Sequence, residues 1–288
     1  MAEIETIDPV GDRIKCEIFE AATRQPRRTS RSVSMSTIGH PCERQAWYRF
    51  RNFDSLPMDG RVLLLFTVGD VIEDLAVKWL SNRYTIAHAG TDQMMFEDHG
   101  GLFRGYADGI IHGVMGGDER WILEIKSAGA SSFRKFKANG VEASKIEYYV
   151  QLQCYMGYAS LQCYMGYASL DKALFVMVNK DNSDLYCECV QFQPGVFYEA
   201  KQKAARVIRS QSPPDRTGVK KSDPICKFCD YKSWCWDKNM MVQYTKTCGS
   251  CKYLLVNNLT MWCDHPDHPF LIDKWGQGCD DWEEMDHA

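Results

Sequence analysis

Long hydrophobic runs are missing from this chain of 288 residues. Stretches such as Val62-Leu63-Leu64-Leu65-Phe66 are far too short to span a bilayer, which takes about 20 apolar residues. The opening Met1-Ala2-Glu3-Ile4-Glu5 is acidic and holds no apolar signal core, so a cytoplasmic location is expected. Proline and glycine are modest, at 10 and 21 residues, which excludes collagen-like and low-complexity chains. An excess of one charge is also missing. With 34 Lys and Arg against 38 Asp and Glu, the net charge of −4 gives no global polycationic footprint. No G-x-x-x-x-G-K-[ST] phosphate loop occurs, so any ATP-driven step would have to come from a partner.

Cysteine, by contrast, is abundant at 13 residues. Thiols stay reduced in the cytosol, so clustered cysteines there point to metal or cluster ligation rather than disulfides. Cations are concentrated locally in Arg24 to Arg31, in Arg134-Lys135-Phe136-Lys137 and in Lys201 to Arg209. Each reads first as a solvated face.

Periodicity predicts a weak helix over 10–22, a loop or extended arm over 24–36, and a helix that starts after Pro41. An amphipathic helix is expected over 62–80, with Leu64, Leu65, Val68, Ile72, Leu75 and Leu80 near helical spacing. Three short aromatic or β-branched runs follow, Met94–Phe96, Phe103–Ile111 and Trp121–Lys126, read as three strands of one sheet. A long helix over 143–169, strands over 173–179 and 185–192, and a helix over 196–209 complete an α/β core. The segment Leu152–Ser160, LQCYMGYAS, is repeated without change as Leu161–Ser169. Nine residues make about 2.5 helical turns, so in one continuous helix the second copy faces the opposite way and Tyr155 and Tyr164 cannot share a site.

The chemistry centres on Asp108 and, after fifteen intervening residues, Glu124-Ile125-Lys126. Side chains alternate along a strand, so Glu124 and Lys126 face one way and Ile125 the other. Two carboxylates meeting at one point make a hard oxygen site for Mg or Mn. Such an ion lowers the pKa of bound water and stabilises a phosphodiester under attack, with Lys126 to orient the water or hold phosphate charge.

Followed by Gln151 and Tyr155 in a Gln-x-x-x-Tyr phrase, this pattern resembles the RecB-like branch of the PD-(D/E)XK nucleases. The resemblance implies a restriction-endonuclease-like mixed central sheet flanked by helices, with Gln151 and Tyr155 lining the site. It also implies a further metal ligand on an earlier helix. That family's Gly-x-x-x-His-Glu is represented here by Gly69 to Asp74, with Glu73 in the place of the histidine. Ser160 stands where the second repeat would need a counterpart of Gln151.

Cys226-x2-Cys229-x5-Cys235, with Cys42 far upstream, is four thiolates able to close a tetrahedral site, and as residues alone they suit zinc or an iron–sulfur cluster equally. The arrangement is similar to iron–sulfur exonucleases related to the CRISPR-associated RecB-like nuclease and to the nuclease module of AddB. That likeness implies a 4Fe-4S clasp. Beyond it, Cys248-x2-Cys251, Cys263 and Cys279 suit a small zinc element, with His265 and His268 as substitute ligands. Cys16, Cys154, Cys163, Cys187 and Cys189 read as ordinary buried thiols.

The expected organisation is therefore an N-terminal helix and arm over 1–35, a nuclease core over 36–240 and a cysteine-rich tail over 241–288. The expected activity is hydrolysis of DNA, as an exonuclease on single-stranded ends in phage or prokaryotic recombination or replication. A recombinase, helicase or single-strand-binding protein is the expected partner. The alternatives are an end-trimming nuclease within an integrase complex and an inactive DNA-binding scaffold of the same fold.

Overall fold

The computed structural model describes residues 8–24, 31–162, 170–237, 245–257, 260–267, 269–272 and 278–285. Helix α1 (Pro9–Thr23) starts where Asp8 accepts a hydrogen bond from the Val10 amide, with proline in its first turn. Strand β1 (Val33–Ser34) leads into α2 (Glu43–Phe50) and the long α3 (Gly60–Ser81), capped by Asp59 through the Arg61 amide. Then come β2 (Thr85–Ala87), β3 (Met94–Asp98), β4 (Phe103–Ala107), β5 (Gly109–His112) and β6 (Arg120–Ala128).

The strands do not form one sheet. The run Phe103–Ile111 breaks at Asp108. Its first half joins a three-stranded sheet in the order β1-β4-β3. Its second half joins the main sheet, which β7 (Lys172–Asn179) and β8 (Leu185–Gln191) complete in the order β2-β5-β6-β7-β8. Within it β6 and β7 run parallel, with Glu124 beside Phe175 and Lys126 beside Met177, and the other pairings are antiparallel.

A parallel pair needs a long crossover. Here it contains α4 (Ala130–Ser144), kinked at Gly140 where φ is +77°, and α5 (Ile146–Gln162). Helix α4 was not legible in the sequence, and the expected helix over 143–169 is α5 together with residues 163–169, which lie outside the described residues. The first LQCYMGYAS copy carries the buried face of α5, with Leu152, Cys154, Tyr155, Met156 and Tyr158 in the core. Cys163 and Tyr164 of the second copy are outside the described residues.

The sheet is covered on both faces. Ile72, Ala76, Val77 and Leu80 of α3 pack on Leu123, Ile125, Val176 and Val178. Phe133 and Phe136 of α4, the buried face of α5, and Phe197, Ala204 and Val207 of α6 (Pro194–Arg209) form the larger core on the other side with Ile122 and Phe175. The amphipathic expectation for α3 holds for Ile72 and Leu80 only. Leu64, Leu65, Val68 and Leu75 lie outward and exposed, as do Val10, Ile14 and Ile18 of α1. Among the free thiols Cys154 is buried as expected, whereas Cys16, Cys187 and Cys189 are exposed. The latter two lie on β8, the edge strand.

Helices α7 (Pro224–Lys227) and α8 (Lys232–Trp236) return to α2, where Tyr231 stacks on Tyr48 at 5.8 Å. The tail forms a small sheet of β9 (Leu254–Asn257), β10 (Thr260–Cys263) and β11 (Phe270–Leu271), in the order β11-β10-β9. Asp54 ties it down by accepting from the Thr245 amide at 2.7 Å, while its own carbonyl accepts from the Trp234 indole. Among the described residues no helix is long and apolar enough to cross a membrane.

Candidate active site

Asp108 occupies the break between β4 and β5, and its position there is held by the main chain of the neighbouring strand. Its Oδ2 accepts from the Ile125 amide at 2.7 Å. Alternation along β6 then puts Ile125 into the α3-side core and turns Glu124 and Lys126 toward the opposite face. Glu124 is completely buried, and its Oε1 pairs with the Lys126 ammonium. Lys126 Nζ also donates to the Ile125 carbonyl at 3.2 Å and lies 4.0 Å from Asp108 Oδ2. About a quarter of the lysine side chain stays open to solvent, and its charged end lies 5.7 Å from the centre of the Tyr148 ring.

Glu73 of α3 reaches this group through a residue that sequence reasoning missed. Gln93 Nε2 donates to Glu73 Oε1 at 3.0 Å and to Asp108 Oδ1 at 3.4 Å, so one amide bridges two carboxylates. The only sequence signal for Gln93 was a polar residue directly ahead of the β3 run. Tyr148 was missed as well, although it stands three residues before Gln151 on the same face of α5. Gln151 donates to the Tyr155 hydroxyl at 2.8 Å, and the Tyr155 ring stacks on Phe96 at 5.4 Å. Gly105 on β4 admits that ring, since a Cβ there would stand 2.6 Å from it and 2.8 Å from Met35.

The electrostatics are those of a site short of positive charge. Burial, then the Asp108 charge, pushes Glu73 up to about 7. Burial, then Asp108, pushes Glu124 up to about 8. Burial raises Asp108 too. Burial works to lower Lys126, but Glu124 and Asp108 outweigh it and hold the ammonium charged. Glu124 Oε2 and Gln151 Oε1 are buried with no hydrogen-bond donor among the described residues. Buried oxygens left without a donor cost about 1–3 kcal/mol each. Among the described residues no three His, Cys, Asp or Glu side chains are placed to hold a metal ion. The donor chemistry nonetheless fits a hard divalent cation: three carboxylates raised above all by burial, Glu73 and Glu124 also by the Asp108 charge, and a buried carboxylate oxygen with no donor among the described residues.

Cys42, Cys226, Cys229 and Cys235 line one small pocket between the start of α2 and α7–α8. Burial pushes the Cys229 thiol up to about 11 and raises Cys226. Gly218 closes the pocket, and a Cβ there would stand 2.6 Å from Cys226 Sγ. Sulfur donors of this kind suit zinc or an iron–sulfur cluster by their chemistry, although among the described residues no three of them are placed to hold a metal ion. In the tail, Cys248 lies in the turn that leads to Cys251, and Thr247 accepts from the Ser250 amide in that turn. Burial raises Cys263, which also feels Cys251 and Cys279 nearby. His265 packs against Tyr253 at 4.6 Å, and His268 lies outside the described residues. Two of the α6 cations are engaged in ion pairs. Lys201 pairs with Asp98 at 2.8 Å, and Arg206 pairs with Glu43.

Neither a family model nor a curated protein matches the chain. Among solved structures it is similar to SSO0001, with 14% identity and a TM-score of 0.43, over 80% of this chain and 98% of that one. It is also similar to an alkaline exonuclease, LHK-Exo, from Laribacter hongkongensis, with 14% identity and a TM-score of 0.42, over 67% of this chain and 90% of that one. LHK-Exo in complex with dAMP matches at the same identity and TM-score, over 66% and 89%.

Proposed function

We propose that this protein is a divalent-metal-dependent deoxyribonuclease of the PD-(D/E)XK type, acting as an exonuclease on single-stranded DNA ends. The observation that carries the reading is the grouping of Asp108, Glu124 and Lys126, with Glu73 joined to them through Gln93. Asp108, Glu124 and Glu73 would hold Mg or Mn. A cation bound there supplies Lewis-acid stabilisation of the phosphodiester and acidifies a water ligand. Lys126, charged and partly open to solvent, places an ammonium where a phosphate oxygen gains charge. Glu124, raised by burial and by Asp108, would favour a bound cation by being held there as the carboxylate. Gln151 and Tyr155 fix the wall of the site by their mutual hydrogen bond.

In this reading Cys42, Cys226, Cys229 and Cys235 hold a 4Fe-4S cluster that clasps α2 to α7–α8. Cys248, Cys251, Cys263 and Cys279 hold zinc in the tail. The chain divides into an arm over 1–35, a core over 36–240 and a tail over 241–288. Its setting is phage or prokaryotic recombination or replication, beside a recombinase, helicase or single-strand-binding protein.

The test is degradation of end-labelled single-stranded DNA in Mn2+ by anaerobically purified full-length chain, with Lys126→Met alongside. Loss of one preorganised stabiliser of developing charge should cost a factor of about 10²–10³. If an iron-loaded wild type leaves the strand intact, the nuclease reading fails and a DNA-binding scaffold takes its place.

A further inference from the structure

We propose that the Cys226–Cys229 turn presents Phe228 as a stacking platform for an unpaired base of single-stranded nucleic acid. The platform lies at the far end of a polar and cationic track that begins at Lys126. The inference builds on the nuclease reading by naming a second place where the strand is held.

Phe228 lies between two cysteines of one pocket, yet its side chain is 84% exposed. Single exposed apolar side chains are common on protein surfaces, and what distinguishes this ring is its open face together with the cations around it. The Lys227 ammonium stands 5.3 Å from the ring centre. From Arg216 to Lys232 the chain has five cations against two carboxylates, although its overall charge is −4. Both carboxylates are engaged. Asp223 accepts from the Val219 and Lys220 amides, and Asp230 lies 3.9 Å from Arg49. Of the cations, Lys221 is held by Asp237 and Arg216 donates to the Cys235 carbonyl. Lys220, Lys227 and Lys232 make no ion pair among the described residues.

Shared and neighbouring residues link the cysteine pocket to the carboxylate group. Gln45 lines the cysteine pocket and also the adjoining pocket formed by His40, Arg49, Lys145, Glu147 and Tyr148. Glu147 is the only carboxylate there, and it is paired with Lys145 at 3.4 Å. Tyr148 in turn lies 5.7 Å from Lys126. A strand whose phosphates follow these cations passes over the cysteine turn.

The chemistry selects the occupant. Protein interfaces are depleted of lysine at their centres, whereas an aromatic face set among cations is the usual holder of single strands. Duplex bases are already stacked on one another, so a lone ring is matched by an unpaired base.

The experiment measures binding of a fluorescein-labelled oligothymidylate to full-length chain in chelator, with Phe228→Ala, Phe228→Trp and an abasic strand of equal length. Stacking on one aromatic side chain supports a loss of affinity on the order of 10- to 100-fold in Phe228→Ala. Phe228→Trp should bind as wild type, with its indole fluorescence quenched by the strand, and the abasic strand should not distinguish Phe228→Ala from wild type. Equal affinity of Phe228→Ala and wild type for oligothymidylate, or a wild type that does not bind it, overturns the platform. Cleavage in Mn2+ is scored separately. Phe228-dependent binding without cleavage in the wild type refutes the nuclease reading and leaves the platform standing.

Discussion

Raising the pH should destabilise the metal-free protein, and the carboxylates around Lys126 set the size of the effect. Glu73 binds its proton up to about pH 7 and Glu124 up to about pH 8 in the fold, whereas both release it near pH 4.3–4.5 when unfolded. An acid raised in the fold contributes stability that is fully present below its unfolded value and is lost as pH rises through its folded value. The window therefore runs from about pH 4.5 to pH 8. Each unit is about 1.4 kcal/mol. Screening at the partly exposed Glu73, and the sharing of charge between Glu124 and Asp108, reduce the total between about pH 5.5 and pH 8.5 to roughly 3 kcal/mol. At about 2–3 °C per kcal/mol for a chain of this size, Tm should fall by roughly 6–9 °C.

The assay is thermal unfolding in chelator across that range, with Glu124→Gln alongside. His40 acts in the opposite sense, because burial lowers it and its contribution grows as pH rises, so the difference between wild type and Glu124→Gln isolates the carboxylates. The variant should lose more than half of the slope. Mn2+ should reverse the wild-type slope, since a cation is held by deprotonated carboxylates. Equal slopes in wild type and Glu124→Gln would refute the reasoning.

Two further outcomes are expected. Gly105→Ala drives a methyl group against the Tyr155 ring and Met35 and should cost about 1–3 kcal/mol in denaturant unfolding, with weaker cleavage because Tyr155 is displaced from the wall. Deleting residues 161–169 removes one copy of the repeat while the copy at 152–160 keeps the buried face of α5. That variant should retain its circular dichroism and its cleavage, and its stability should change by less than about 1 kcal/mol.

Much of this arrangement was legible in the residues, and each gap has a physical reason. Alternation along a single strand was enough to place Glu124 and Lys126 on one side and Ile125 on the other, because that rule is local. The division of the strands into two sheets was not legible. Phe103–Ile111 is uniformly strand-like, and only the long-range pairing of β4 with β1 and of β5 with β6 separates its halves. Helix α4 went unseen because its buried side chains are few, Phe133, Phe136 and Val141, and Gly140 interrupts them. Periodicity showed that 62–80 is a helix, but α3 has apolar residues on more than one side, and which side meets the sheet is decided by the partner. Gln93 joins Glu73, twenty residues before it, to Asp108, fifteen residues after it, and no motif in the chain surrounds it.

The placement of Asp108 has an evolutionary consequence. Its carboxylate fastens the seam between two sheets through the Ile125 amide, a charge-assisted bond of the kind worth about 1.5–3 kcal/mol. Mutations that relax a reactive centre commonly gain stability, which lets an idle enzyme drift toward a sturdier and inert form. Here replacing the acid by a residue without an acceptor also opens a joint of the architecture. Descendants that lose the acceptor as well as the acid leave the buried Ile125 amide unsatisfied, whereas an asparagine keeps an acceptor there, so the fold guards the shape of this side chain and the chemistry alone guards its charge.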